Sequence, residues 1–149
     1  MRAVIQRVKN SKVTVDEKVT GAIGRGLMVL IGVEVGDSEK DAQYIADKVT
    51  GLRIFEDENG KMNLSVKETN GKILAVSQFT LLGDVRKGKR PSFTKAARPE
   101  EAQSLYRRVI ENIISQGIDV EEGIFQEEML VEIYNDGPVT ILLDSNKKF

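Results

Sequence analysis

Two short polar segments stand in apolar surroundings, Ser77-Gln78-Phe79-Thr80-Leu81 and Asn135-Asp136-Gly137-Pro138-Val139-Thr140. In the first, hydroxyls and an amide follow the apolar run Ile73–Val76 and precede a loop. Polar groups at such a boundary are often placed for function. They also commonly do no more than bond the local backbone. If the segment is functional, two chemistries are open. Ser77 or Thr80 could act as a nucleophile, which needs an adjacent base to activate it. Alternatively, backbone N–H groups could support a developing oxyanion, at about 3 kcal/mol of transition-state stabilisation per donor. The composition bears on this choice, because the chain has no His and no Cys. A Ser-His-Asp or Cys-His site is excluded, as is a zinc site of imidazole or thiolate ligands. A base would have to be a carboxylate, a perturbed Lys or Tyr, a water, or a group on the substrate. No metal or cofactor is expected.

The second segment joins two alternating runs and reads locally as a tight turn. Two residues resist that reading. Gly137 has no side chain, so another group can approach the backbone. Pro138 has no N–H, which leaves nearby carbonyls as the main polar groups. A Gly-Pro pair could aim two carbonyls one way, accept hydrogen bonds from an ammonium and act as a steric gauge. A third feature is basic. Arg86, Lys87, Lys89, Arg90, Lys95 and Arg98 lie between Asp84 and Glu100 with no acidic residue among them. They read either as a solvated loop or as phosphate-backbone contacts beside a site on the preceding strand end.

The elements that must position these residues follow from periodicity. Strands are predicted over 2–8, in a hairpin over 12–24 turning at Asp16-Glu17-Lys18, and over 27–33, the last buried on both faces. Asp37 or Ser38 caps a helix whose apolar face is Ala42, Ile45, Ala46 and Val49, and Gly51 ends it. A short strand over 52–55 leads to the turn Asp57–Gly60. Asn70-Gly71 opens a strong strand, Lys72–Phe79. Residues 83–98 form a loop. Pro99 starts a second helix with Glu100 and Glu101 at its positive end, and Gly117 stops it. Strands over 120–125, 129–135 and 138–144 complete the chain. No Gly-rich phosphate loop follows a strand.

The chain of 149 residues suits one domain, 1–149. The fold class read from this pattern is α/β, with largely antiparallel mixed sheets curled into a barrel-like core. Two helices pack on one side, giving three layers, α/β/β. The formal net charge of −1 excludes a strongly basic fold that grips nucleic acid by bulk electrostatics. No stretch is long and apolar enough to span a membrane, and the charged N-terminus does not read as a signal peptide. A cytoplasmic protein is expected.

Both polar segments resemble the signature motifs of the D-aminoacyl-tRNA deacylase family, in the family's order. Lys87-Gly88-Lys89-Arg90-Pro91-Ser92-Phe93 resembles its basic loop. The likeness extends through Gln6-Arg7-Val8, Gly24-Arg25-Gly26-Leu27 and Gly60-Lys61-Met62-Asn63-Leu64-Ser65. The resemblance implies hydrolysis of the ester joining a D-amino acid to the 3′ end of tRNA, with glycyl-tRNA as a second substrate and L-amino acids rejected. It implies a homodimer with its active site at the interface, aminoacyl-tRNA as partner, and neither DNA nor membrane. The Gly-Pro bond is implied to be cis and inserted into the other subunit's pocket. Substrate binding would fall to Gly137, Pro138, Asn135 and Met129, and RNA binding to Arg86, Lys87, Lys89 and Arg90. Catalytic support would fall to Ser77, Gln78, Phe79 and Thr80. Thr80 enters either as a nucleophile or through its backbone, the 2′-hydroxyl of the terminal adenosine then helping to activate water. One departure is visible: where the family usually shows Phe-Gly-Ala-x-Met, this chain has Phe125-Gln126-Glu127-Glu128-Met129.

Overall fold

The computed structural model describes residues 1–149. Strand β1 (Arg2–Val15) turns at Asp16 and Glu17 and returns as β2 (Lys18–Ile23) and β3 (Gly26–Gly32). Both turn residues have positive φ, 47° and 65°, the backbone of the turn that best matches strand twist. The pairing keeps step from Ser11↔Ile23 to Arg2↔Gly32, across Gly24-Arg25. The expected strand 2–8 and hairpin 12–24 are therefore one long hairpin. Lys9 and Asn10 break the apolar alternation but not the strand.

Strand β1 also changes layers along its length. Ala3 and Ile5 join the main core with β3 and both helices, whereas Val8, Val13 and Val15 join a second cluster with Met28, Leu74 and Val76. One strand can serve two clusters only if the sheet curls. After the helix α1 (Glu39–Gly51) come the small hairpin β4 (Phe55–Glu56) and β5 (Met62–Leu64), then β6 (Lys72–Ser77), parallel to β3. Ile73 and Ala75 face the helices while Leu74 and Val76 face the second cluster. This two-sided burial is why β3 and β6 read as unbroken apolar runs. The helix α2 (Pro99–Ser115) leads to β7 (Val120–Glu122), parallel to β6, and β8 (Leu130–Asp144) closes the chain.

The sheet order is β2-β1-β3-β6-β7, with β8 antiparallel along the other edge of β1. Its two ends almost meet. Thr20 Oγ1 donates to the carbonyl of Glu122 at 3.4 Å. A side chain at Gly21 would lie 2.5 Å from the same oxygen, so glycine lets β2 come alongside β7. The result is a nearly closed mixed barrel under two helices, the α/β/β arrangement expected.

Both helices form where their apolar faces predict. Ser38 caps α1 through a capping box with Asp41. Asp37 is not the cap: it accepts from the Met1 ammonium at 2.7 Å and from the Glu34 N–H at 2.7 Å. Helix α2 starts at Pro99 and ends before Gly117, which takes φ +85°. It buries Val109, Ile110 and Ile113 completely, at roughly 1.5–3 kcal/mol each. Its Tyr106 hydroxyl donates to the Ala75 carbonyl at 3.1 Å, fixing the helix over β6.

Four strand assignments differ from expectation. Of the strand expected over 52–55 only Phe55 is in a strand, Phe55–Glu56, and that over 120–125 is reduced to Val120–Glu122, both short of partners beyond those residues. The strand expected to reach Phe79 stops at Ser77. The strands expected over 129–135 and 138–144 are one element, because β1 pairs with both halves.

Candidate active site

Residues Phe79–Leu82 form one turn of 3₁₀ helix directly after β6. Ser77, Gln78 and Thr80 therefore do not all end a strand. Ser77 does, Gln78 precedes the turn, and Phe79 and Thr80 lie inside it. The chain leaves the sheet here because β3 ends too. The Gln78 N–H donates to the Ile31 carbonyl at 2.7 Å, the last rung between them. Gly32 then lets the turn settle on β3, since a side chain there would lie 2.7 Å from Leu82 Cδ2 and 2.8 Å from the Gln78 carbonyl. Leu82 is buried and anchors the turn from below. The N–H groups of Phe79 and Thr80 open the turn, so no preceding turn can accept from them. These are two free donors on adjacent residues.

The side chains are less suited to nucleophilic attack. The Gln78 amide donates to Thr80 Oγ1. An amide cannot take the hydroxyl proton as a base would, and no carboxylate, Lys or Tyr hydrogen-bonds to Thr80 or to Ser77. The Phe79 ring is 56% exposed and meets Phe93 edge-on, centroids 5.1 Å apart at 71°. Phe93 comes from the basic loop, which is folded back by paired hydrogen bonds between Asp84 and Ser92 at 2.8 and 2.9 Å. The loop is thus seated against the turn.

Beside the turn lies a cavity of about 580 Å³. Ser77, Gln78, Phe79, Phe125 and Met129 are among its lining residues. Most of the lining is apolar, and Glu127 is its one ionisable residue. Gln126 holds φ +66°, a left-handed conformation that a glycine would take without strain. The departure at Gln126 and Glu127 therefore lies in the cavity lining and changes its charge. Thr80 is outside the lining, as are Gly137 and Pro138.

The segment 135–140 is not a turn between strands. Val8 pairs with Asn135 and Gln6 pairs with Thr140, so Asp136 to Val139 bulge out of β8 opposite Arg7 alone. The Gly137–Pro138 peptide bond is cis. Gly137 has φ +137°, and a side chain there would lie 2.8 Å from Val139 Cγ2 and 3.1 Å from Arg7 Nη2. Asn135 staples the bulge across its base. Its Oδ1 accepts from the Val139 N–H at 2.8 Å and its Nδ2 donates to Thr140 Oγ1 at 3.1 Å. Gln6 Nε2 donates to that same hydroxyl at 3.2 Å. From beneath, Arg7 Nε donates to the Asp136 carbonyl at 3.0 Å and Nη1 to the Ile54 carbonyl at 2.7 Å.

In the basic loop, Arg86 is already engaged. Its Nε donates to both oxygens of Asp84, at 2.9 and 3.1 Å. That contact holds the Asp84 carboxyl well below the usual carboxylate range. Lys87, Lys89 and Arg90 are exposed and form no ion pair. The structure therefore separates the four expected RNA contacts into three free cations and one paired with its neighbour.

This geometry has known relatives. The sequence model of the D-Tyr-tRNA(Tyr) deacylase family matches residues 4–144. The chain belongs to that family. D-aminoacyl-tRNA deacylases of Thermotoga petrophila and Koribacter versatilis are each 60% identical to it over 149 residues, covering 100% of both chains. The solved structure of the c-Myc DNA unwinding element binding protein superposes with a TM-score of 0.91 at 41% identity, over 97% of this chain and 98% of that one. A second, described as a "probable eukaryotic D-amino acid tRNA deacylase", gives 0.79 at 19% identity over 95% of this chain and 97% of that one, a likeness of fold.

Seen as a deacylase-family chain, the molecule brings Ser77, Gln78, Phe79 and Met129 to one cavity. It holds Asn135, Gly137 and Pro138 together on a separate bulge. Arg7, beneath that bulge, received no role from the sequence. The one signal was a cation at position 7 on the otherwise apolar face of strand 2–8 that carries Ala3 and Ile5.

Proposed function

We propose that this deacylase-family chain hydrolyses the ester of D-aminoacyl-tRNA, releasing a D-amino acid and tRNA, with glycyl-tRNA as a second substrate. The observation that carries the mechanism is the 3₁₀ turn at Phe79–Leu82, whose free N–H donors open beside the cavity, with no carboxylate, Lys or Tyr hydrogen-bonded to Ser77 or Thr80. Water attacks the ester carbonyl carbon, and the carbonyl π electrons move to oxygen. The Phe79 and Thr80 N–H groups stabilise that oxyanion. The C–O bond to the ribose then breaks and the 3′-oxygen leaves as a hydroxyl. The 2′-hydroxyl of the terminal adenosine relays the water proton, a role that no His or Cys can take in this chain.

Selection falls to Gly137 and Pro138, working in the cavity of a second subunit. Their carbonyls hold the substrate ammonium and leave no room for an L side chain. Three observations support an interface site. Gly137 and Pro138 do not line their own chain's cavity. Strand β8 pairs only with β1, so its other edge is unpaired. Leu130, Tyr134 and Leu142 on β8 are exposed apolar groups. Lys87, Lys89 and Arg90 contact the tRNA backbone. No helix is long and apolar enough to cross a membrane, and the reading places the protein in the cytoplasm with its charged tRNA.

The deciding assay follows the ester of D-Tyr-tRNA and L-Tyr-tRNA with purified protein. Cleavage of the D form alone is expected, whereas tRNA binding without cleavage would make this a binding module. Thr80→Ala, still folded, keeps most of the activity, because the turn needs its backbone. A tRNA ending in 2′-deoxyadenosine is cleaved at least about tenfold more slowly, as loss of a proton relay costs at least that. Equal turnover of the deoxy substrate, or a trapped acyl-Thr80, would refute the mechanism.

A further inference from the structure

The turn that carries the oxyanion donors is short, and a single turn of 3₁₀ helix does not hold its own orientation. Its start is fixed by the Gln78 N–H on the Ile31 carbonyl. Its far end has carbonyls without partners inside the turn, as every helix end does. One of them, Leu81 C=O, accepts from Arg2 Nη1 at 3.0 Å. The same guanidinium donates through Nε to Asp144 Oδ2 at 3.2 Å. Asp144 is 1% exposed, and Arg2 is its ion-pair partner. Its other oxygen accepts from the Asn146 N–H at 2.7 Å. The Phe149 ring covers the guanidinium, with Cζ 5.8 Å from its centroid. Arg2 thus joins the buried end of β8 to the far end of the turn and is covered by the tail.

We infer that Arg2 is a positioning residue for hydrolysis, setting the orientation of the Phe79–Leu82 turn through the Leu81 carbonyl; this rests on the oxyanion role proposed for that turn. Tethers at Ile31 and Leu81 fix the turn at both ends, and buried Leu82 sets its depth. Without the second tether the turn can pivot about Leu82. The N–H groups of Phe79 and Thr80, at the opposite end, then lose their aim. The arrangement needs arginine, because its fork offers two N–H groups in fixed relation. A lysine ammonium is a point donor and would choose Asp144, the charged acceptor, over Leu81.

The tail adds a second tie on the same side. Lys148 Nζ donates to the carboxylate of Glu34 at 3.2 and 3.4 Å. The next residue, Val35, donates its N–H to the Lys95 carbonyl at 2.8 Å, in the loop whose Phe93 packs on Phe79. Residues 144–149 therefore reach both supports of the turn without touching the cavity.

The test compares wild type, Arg2→Lys, Arg2→Met and the double variant Arg2→Met with Asp144→Leu. Arg2→Met strands a buried carboxylate, so its melting temperature falls. The double variant removes that charge and recovers the fold. It does not restore the tether. On D-Tyr-tRNA, kcat is expected to fall about 10–100-fold in the double variant, the scale of a misplaced catalytic group, with KM within about twofold of wild type. Arg2→Lys lies with the methionine variants in kcat and with wild type in stability. Wild-type kcat in the folded double variant would overturn the inference. A second measurement needs no substrate. Amide hydrogen exchange at Leu81, Leu82 and Gly83 is expected to quicken in the double variant, and unchanged protection would also overturn it. If wild type cleaves no D-Tyr-tRNA, the activity proposal fails, while the exchange measurement still decides whether Arg2 holds the turn.

Discussion

The Arg7 side chain is only 7% exposed, and it remains there because two arms of its fork are answered. Nη1 meets the Ile54 carbonyl, Nε meets the Asp136 carbonyl, and the Asp136 carboxylate lies 3.9 Å from Nε. Removing it leaves two inward carbonyls without donors, at about 1–3 kcal/mol for each that stays dry. Arg7→Leu is therefore expected to lower unfolding free energy by about 2–4 kcal/mol, measured by urea denaturation. The same variant frees the bulge at Asp136–Val139 and should let L-Tyr-tRNA be cleaved measurably. A variant as stable as wild type, with unchanged D/L discrimination, would show that the bulge holds itself. This residue also marks where sequence reading stops. The polar types in the two site segments were legible, because they interrupt apolar runs. What Arg7 does was not, since its partners lie at Ile54 and Asp136, far along the chain. The stapling by Asn135 is local and closer to reach: Asn accepting from a backbone N–H a few residues on is a known turn habit.

At the scale of elements, the parallel contact of β3 with β6 decides where the candidate site stands, because the Phe79–Leu82 turn begins where that pairing ends. Gly26 opens β3 opposite Lys72. A side chain there would lie 1.9 Å from the Lys72 carbonyl oxygen, a contact with backbone that cannot move aside. Gly24, two residues earlier, has nothing within 4 Å of that position. Gly26→Ala is thus expected to cost about 3 kcal/mol or more, or to prevent folding, as overpacking against a fixed wall does. Gly24→Ala should stay within about 0.5 kcal/mol of wild type. Thermal melts of the two variants, side by side, check this, and equal melting temperatures would mean that β6 shifts to accommodate the methyl. The helices were legible to within a residue or two, since each carries a start signal (the Ser38 capping box or Pro99), an apolar face and a stop. The strands were legible as apolar runs but not as elements. Strands 129–135 and 138–144 fuse because β1 spans both, and Lys72–Phe79 shortens because β3 ends at Gly32. Strand limits are set by partners, which periodicity within one segment does not contain.

At the scale of the whole molecule, pairing and charge both point outward from one chain. If β8 forms the subunit contact proposed, a charge at Leu142, 55% exposed, should break it. Leu142→Glu is expected to sediment as a monomer and lose activity while keeping its melting profile. A dimeric, active variant would move the interface elsewhere. The charge argument is sharper, because it predicts a slope. The chain has 22 basic and 23 acidic residues, so a polyanion gains nothing from the molecule at large. Arg86 is spent on Asp84, so that of the four expected RNA contacts Lys87, Lys89 and Arg90 remain unpaired, on the loop beside Phe79. Each cation that meets a phosphate releases a counterion and contributes roughly 0.7 to the salt slope of binding to an unpaired strand. Replacing all three with Gln should therefore flatten log Kd against log salt by about 2, measured between roughly 50 and 200 mM. The turn and cavity are untouched by these changes, so kcat at saturating tRNA should hold while KM rises. Arg86→Gln should flatten the slope by less than any one of the three, since its charge is already met. If all four single variants flatten it equally, Asp84 does not neutralise Arg86 toward RNA; if none does, the tRNA approaches the Phe79–Leu82 turn from another side.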